Sequence, residues 1–312
     1  MDEAERSHER DQPPSSEHAG RVVAVAGATG NAGREVVRAL AERGLKVRAL
    51  VRDPARLGHA RPLCDDIRVV QVTQRESIRG ALDGADYLVS ALGKTWQKDK
   101  TPRRAVDVDA NVSLFDEAAR AGVSRVGLIT VAYASTDSPV AMLRMKGEVE
   151  QALRERGLTH VIIRPGGYFS DMWEVFQMCA RGTFWAFGRD DVKTNPISLV
   201  DLGDFTAACL LDEAKLGQHH EIGGPDVFGP EELAALCARI LERPVRVRRV
   251  PMWLAKGALG CTRPFSRDLY ELLDFFIGFS AAAGGRDSVL PRHGTRHLED
   301  YLRARYHARD GA

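Results

Sequence analysis

An α/β fold built on a doubly wound parallel sheet, with a smaller C-terminal region, is predicted by three observations. Short, nearly all-apolar runs alternate with amphipathic stretches. Residues 21–33, Arg-Val-Val-Ala-Val-Ala-Gly-Ala-Thr-Gly-Asn-Ala-Gly, carry one such run directly into glycines at 27, 30 and 33. From Gly166 onward the alternation loosens and Phe and Trp concentrate. Strands that are apolar throughout are strands covered by helices on both faces, which is the environment of a parallel sheet.

The first unit reads strand, tight turn, helix. Val36, Val37, Leu40 and Ala41 share one helical face, and Lys46 to Val51 forms the next apolar run, completing a unit of about 30 residues. Gly27 permits the sharp turn, Gly30 lets backbone approach a pyrophosphate, and Gly33 lets the helix pack closely on the sheet. Thr29 and Asn31 complete the turn. A phosphate would sit on the helix N-terminus, where unsatisfied N–H groups and the positive dipole end favour an anion without side-chain charge. The alternative is a purely structural glycine turn. On the dinucleotide reading the sheet is of the Rossmann type.

The alternation continues with Ile67 to Val72 as strand, Glu76 to Leu82 as short helix, and Asp86 to Leu92 as strand. Ala105 to Ala121 follows as helix, Arg125 to Val131 as strand, Val140 to Arg156 as helix, and Thr159 to Ile163 as a β-branched run ending at Arg164-Pro165. Further on, Asn195 to Asp201 reads as a short strand leading to a helix that Asp201 caps. Gly229-Pro-Glu-Glu-Leu opens another helix with proline near its first position. Leu269 to Gly284, interrupted by Glu271 and Asp274, is too short and charged to span a bilayer and reads as a buried helix whose Phe275, Phe276 and Phe279 line a pocket or a dimer face. The chain thus divides into a disordered tail (1–20), a dinucleotide-binding domain (21–165) and a substrate-binding region (166–312) interleaved with it.

Among the 312 residues, 44 basic side chains face 43 acidic ones, so no global field recruits nucleic acid or an anionic membrane. The ligand expected is a small molecule recognised locally. Residues 1–20 lack an apolar core, which excludes an ordinary secretory signal. Cys64, Cys179, Cys209, Cys237 and Cys261 are scattered without a C-x-x-C, and His219-His220 precedes a strand-like Glu-Ile-Gly. Neither a disulfide scaffold nor a metal site is implied, and a reducing cytoplasm fits.

Taken together, V-A-V-A-G-A-T-G-N-A-G, L-V-R-D-P, the 107–119 helix before A-G-V-S-R-V, M-K-G-E-V-E-Q-A-L, T-H-V-I-I-R-P-G-G-Y-F and G-G-P-D-V-F-G-P-E-E-L resemble the atypical short-chain dehydrogenase/reductases, and within them the NmrA-like group. Each motif is soft and their order is specific. The resemblance implies a cofactor lying along Gly27, Thr29, Gly30, Asn31, Gly33, Ala91, Gly93, Lys146 and Pro165. Arg52, just after the second strand, suits the 2′-phosphate of NADP, whereas a carboxylate there would select NAD; Asp53 beside it argues the other way. NADP is therefore expected, with NAD as the alternative. Relatives place an Asp on the adenine after the third strand, where this chain has Gln71 or Val72. Ala91, Leu92 and Gly93 would run under the adenine ribose.

The family's Tyr-x-x-x-Lys pair is incomplete. Lys146 takes the lysine position, but Met142 stands four residues earlier and cannot donate a proton, and no clear serine partner is present in Thr130 to Ser135. Lys146 would bind ribose hydroxyls, act as a general acid/base, or be a surface lysine. Tyr133 and Tyr168 lie on loops at strand carboxyl ends, where such sheets place ligands. Phe169 and Trp173, with Phe176, Phe184, Trp185 and Phe187, would suit a flat apolar ligand or else build the core of the smaller half. The expected activity is NAD(P)H-dependent reduction of a small apolar carbonyl or quinone-like substrate. The alternative is a non-catalytic NADP-binding redox sensor or assembly factor with a protein partner.

Overall fold

A computed structural model describes residues 17–94, 101–187, 192–251, 254, 278 and 288–310. Among them, seven strands form one parallel sheet: β1 (Val22–Ala26), β2 (Lys46–Val51), β3 (Asp66–Val69), β4 (Tyr87–Ser90), β5 (Arg125–Ile129), β6 (His160–Pro165) and β8 (Gln218–Ile222), in the order β3-β2-β1-β4-β5-β6-β8. β7 (Thr183–Phe187) and β9 (Arg246–Val250) form a separate parallel pair. The winding reverses between β1 and β4, so their carboxyl ends open the crevice in which such sheets hold ligands.

Side-chain alternation splits the strands between two cores. Val23 and Val25 of β1 pack with α1 (Asn31–Glu42) and α6 (Leu199–Leu211) on one face. Ala24 and Ala26 pack with α3 (Ala110–Ala121) and α4 (Ala141–Glu155) on the other. Burial on both faces is why the strands read as unbroken apolar runs. A third core joins α5 (Phe169–Cys179), α7 (Pro230–Leu241), α8 (Leu298–Asp310), β7 and β9 in the smaller half.

Several local expectations are corrected. The helix expected over 76–82 closes after Arg75–Ile78, labelled α2, because Gly80 turns left-handed at φ 77° and gives its N–H to Glu117 Oε1 at 2.7 Å. The stretch 195–201 is not a strand but makes an isolated bridge, Ile197 to Tyr168. Ser198, not Asp201, caps α6 by accepting from Val200 N; Asp201 sits buried in the first turn, 2.6 Å from Arg296 Nη1. The tail does not run free to residue 20: His18 is buried, with Nδ1 2.9 Å from Tyr87 Oη and Nε2 3.1 Å from Leu211 O. Residues 1–16, Cys261, the Phe187 side chain and, apart from Gly278, the stretch 269–284 lie outside the described residues.

Gly229 caps α7 with Pro230 at its start, as expected. His219 and His220 lie within β8, where His220 Nε2 bonds Lys215 O. No helix among the described residues is long and apolar enough to cross a membrane, and no group of His, Cys, Asp or Glu among them could hold a metal ion.

Candidate dinucleotide and reduction site

The phosphate turn follows from sterics at two glycines. Gly27 adopts φ +82°, and a Cβ there would stand 2.8 Å from Ala91 O. Gly33 has no such conformational demand, but its Cβ would meet Gly27 O at 2.1 Å, so only glycine lets α1 start this close to β1. Gly30 is the N-cap of α1, exposed, with no side-chain cap, leaving first-turn amides facing outward beside Asn31 and Thr29. The turn is a cradle that side chains would fill, and it fits a pyrophosphate.

The end of β2 carries the two residues, Arg52 and Asp53, expected to bear on the choice of dinucleotide. Asp53 Oδ1 accepts from Ala55 N at 3.0 Å and caps the 3-10 segment Pro54–Leu63, so this carboxylate is spent on the backbone. Arg52 is exposed directly after β2. Arg34, which the sequence reading passed over, donates from Nη2 to Arg56 O at 2.7 Å, and its buried Nε finds no acceptor among the described residues. Two segments meeting at the end of β2 thus carry Arg34, Arg52 and Arg56. A cleft of about 300 Å³ opens beside Asn31 and Arg34 and is lined also by Tyr301 and Arg305 of α8.

Just beyond β3, Gln71 N donates to Ser77 Oγ at 2.8 Å, while Gln71 Oε1 is buried and finds no donor among the described residues. An orphaned buried acceptor is costly unless a ligand satisfies it. It stands where the resemblance places the adenine contact, and an exocyclic amine would supply the missing hydrogen bond.

Under the carboxyl end of β4, Lys146 of α4 meets a partner that periodicity did not predict. Its Nζ lies 2.7 Å from Asp107 Oδ1 and donates to Leu92 O at 3.3 Å. The Asp107 side chain is 2 % exposed and that of Lys146 11 %. Asp107 sits in a π-helical turn, Ala105–Asp109, that breaks the single helix expected over 105–121. Such turns recur at functional sites. One signal was available: Asp107, Asn111, Leu114 and Ala118 share one helical stripe, and all four are buried. Gly93 runs directly past the ion pair: a Cβ there would lie 3.4 Å from Lys146 Nζ and 3.5 Å from Asp107 Oδ1.

Tyr133 follows β5 on a loop that packs on α4 immediately beside Lys146. Gly147 allows this, because its Cβ would stand 2.3 Å from the Ser135 carbonyl carbon. Ala132 N donates to Pro165 O at 2.9 Å, holding the loop to the end of β6. Tyr133 itself is left-handed at φ 63°, a conformation a tyrosine adopts only where its surroundings impose it. The structure thus brings Lys146, Tyr133, Gly93 and Pro165 to one end of the sheet.

Tyr168 is packed against the core of the first face, and burial, reinforced by Asp171, pushes its phenol well above the ordinary range. Phe169 and Trp173, expected as a substrate wall, lie instead in the core of the smaller half at 3 % and 6 % exposure. The Phe169 ring is 5.6 Å from Tyr301, and Trp173 stacks on Phe176 at 5.3 Å with Arg305 over its outer face. Residues 169, 173 and 176 share one face of α5, which explains their common burial.

A family model described as NAD(P)H-binding matches residues 27–213, more than half of the chain. An NAD(P)H azoreductase of Xenophilus azovorans is 27% identical over 242 residues, which cover 76% of this chain and 80% of that protein. A mitochondrial NADH dehydrogenase [ubiquinone] 1 alpha subcomplex subunit 9 of Arabidopsis thaliana is 28% identical over 268 residues, covering 79% of this chain but only 64% of the relative. Among solved structures, an NADPH-dependent quinone oxidoreductase of Escherichia coli complexed with NADPH superposes with a TM-score of 0.74 at 20% identity, over 91% of this chain and 99% of that one.

Proposed function

The chain belongs to the NAD(P)H-binding family, and from that premise we propose an NADPH-dependent reductase of the atypical short-chain dehydrogenase type, acting on a flat apolar carbonyl or quinone-like acceptor. The observation that carries the reading is the ammonium of Lys146, held in a buried ion pair below β4 with methionine, not tyrosine, one turn before it. When bound, NADPH supplies a hydride, and a conjugated acceptor takes the accompanying proton from water or a nearby phenol. Such an acceptor needs orientation and a dry face more than a strong acid. Lys146 binds and orients ribose hydroxyls, Pro165 and Gly93 border the ring-bearing end, and Tyr133, on the loop after β5, is the phenol we assign to contribute a proton. Tyr168 serves as a wall of the site. The azoreductase and quinone oxidoreductase among the relatives support the reductive reading.

NADP preference rests on Arg52, with Arg34 and Arg56 nearby and Asp53 engaged as a cap. Arg52→Glu is expected to weaken NADPH by roughly ten- to a hundredfold, the worth of a charge-assisted hydrogen bond plus the reversed charge, with little change for NADH. Calorimetric titration of both nucleotides checks this, and equal loss of both would remove Arg52 from phosphate recognition.

The function itself is tested by titrating the protein with NADPH and then following its oxidation against quinones, azo dyes and aldehydes. Turnover with quinones, azo dyes and conjugated aldehydes, and little or none with saturated aldehydes, is the expected result. Tight binding without turnover across the panel would favour the second reading, a non-catalytic NADP-binding sensor or assembly protein. The incomplete Tyr-x-x-x-Lys pair and the Arabidopsis relative, a subunit of a larger complex, support that reading. A reducing cytoplasm is the compartment in which the free thiols of Cys64, Cys179, Cys209 and Cys237 persist.

A further inference from the structure

We propose that Asp107 is the positioning residue of the site: its buried carboxylate holds the Lys146 ammonium toward the nicotinamide ribose and ties the β4 exit loop to α4. The inference rests on the cofactor site described above and not on turnover. Lysine is a flexible four-carbon chain whose head would otherwise sample many rotamers, and ordering it costs entropy that must be met at binding or beforehand. Here it is met beforehand.

Four contacts fix the arrangement. Asp107 Oδ1 is 2.7 Å from Lys146 Nζ. Asp107 Oδ2 accepts from Lys94 N at 3.1 Å and lies 3.8 Å from Arg103 Nη1. Lys146 Nζ gives a second hydrogen to Leu92 O at 3.3 Å. An ammonium has three hydrogens. Two are therefore committed on the side of Asp107 and Leu92, and the third is left for a ligand hydroxyl. The backbone at Asp107 is held from below: Asn111 Nδ2 donates to the Asp107 carbonyl oxygen at 2.9 Å, and Asn111 Oδ1 accepts from Ser90 Oγ of β4. Asp107 lies in the π-helical turn that leads into α3. Where the short-chain dehydrogenases pair the lysine with a tyrosine on its own helix, this chain has Met142, and the lysine's partner comes from a different helix.

The consequence concerns one half of the cofactor. A positioning role predicts a loss confined to ligands that carry the nicotinamide ribose, while a role in general stability predicts a loss shared by all ligands. Calorimetric titration of Asp107→Asn with NADPH and with 2′,5′-ADP, which holds only the adenosine half, separates them. The expected result is an approximately tenfold weaker NADPH affinity with 2′,5′-ADP unchanged within about twofold, tenfold corresponding to about 1.4 kcal/mol. Because Asp107→Asn leaves a buried ammonium without its counter-charge, Lys146→Met and the paired variant Lys146→Met/Asp107→Asn are measured alongside. If Asp107 acts through Lys146, the paired variant binds NADPH no more weakly than Lys146→Met alone. Equal loss of both ligands, additive losses in the paired variant, or a parent protein that binds NADPH no better than 2′,5′-ADP would each overturn the proposal. Failure of every acceptor in the turnover panel would overturn the reductase reading and leave these binding results standing.

Discussion

Gly30→Val is expected to weaken NADPH binding by about two orders of magnitude or more while the protein stays folded. Gly30 is exposed at φ −75°, and a Cβ there meets only Gly27 O, at 3.2 Å, a contact that small local movement relieves. The isopropyl group, however, stands over the first turn of α1 and covers the amides that would receive a phosphate. Gly33→Ala is the contrasting control: its Cβ would fall 2.1 Å from Gly27 O, so the helix must leave the sheet and stability fails together with binding. Calorimetry and thermal unfolding of the two variants distinguish the cases. Unchanged NADPH affinity in folded Gly30→Val would remove the glycine turn from cofactor recognition.

Glu150→Ala is expected to cost about 3–5 kcal/mol of stability, the usual effect of stripping one partner from a buried ion pair. The Glu150 side chain is 1 % exposed and accepts from Arg164 Nε at 2.9 Å, from Arg164 Nη2 on its other oxygen, and from Thr130 Oγ1 at 2.8 Å. This cluster locks α4 to β5 and β6 one helical turn from Lys146. Its removal leaves the Arg164 guanidinium, 13 % exposed, without its bidentate partner. A fall in melting temperature on the order of 10 °C should follow, with weaker NADPH binding as α4 loosens. A fall of only a degree or two would mean that Arg164 finds a replacement in Glu221, now 3.8 Å from its Nη1.

Much of this was legible in the chain. The glycines at 27, 30 and 33 announce their own geometry, because a tight turn and a close helix contact each admit no side chain. The strands were legible because burial on both faces makes them apolar throughout. Their ends were not: Gly80 closes α2 by donating to Glu117, a residue on a distant helix. Likewise Asp201 and Ser198 are both good caps by residue type, and the choice between them fell to Arg296, which draws the Asp201 carboxylate away. Phe169 and Trp173 carried no mark separating a ligand wall from a core, since both uses bury aromatic surface.

By itself the sequence determined the parallel α/β class, the tight glycine turn between β1 and α1 and the position of an arginine after β2, all features read from residues adjacent in the chain. Only the tertiary structure decided what the polar groups inside do: that Asp53 is a cap, that Gln71 is left with an unmet acceptor, that Tyr133 is held left-handed, and that Asp107 answers Lys146. The physical reason is one of range. Periodicity records which face of a segment avoids water, a property each residue expresses alone. The pairing of a buried charge depends on how two helices from distant parts of the chain pack across one sheet, and the spacing within either helix carries no record of that.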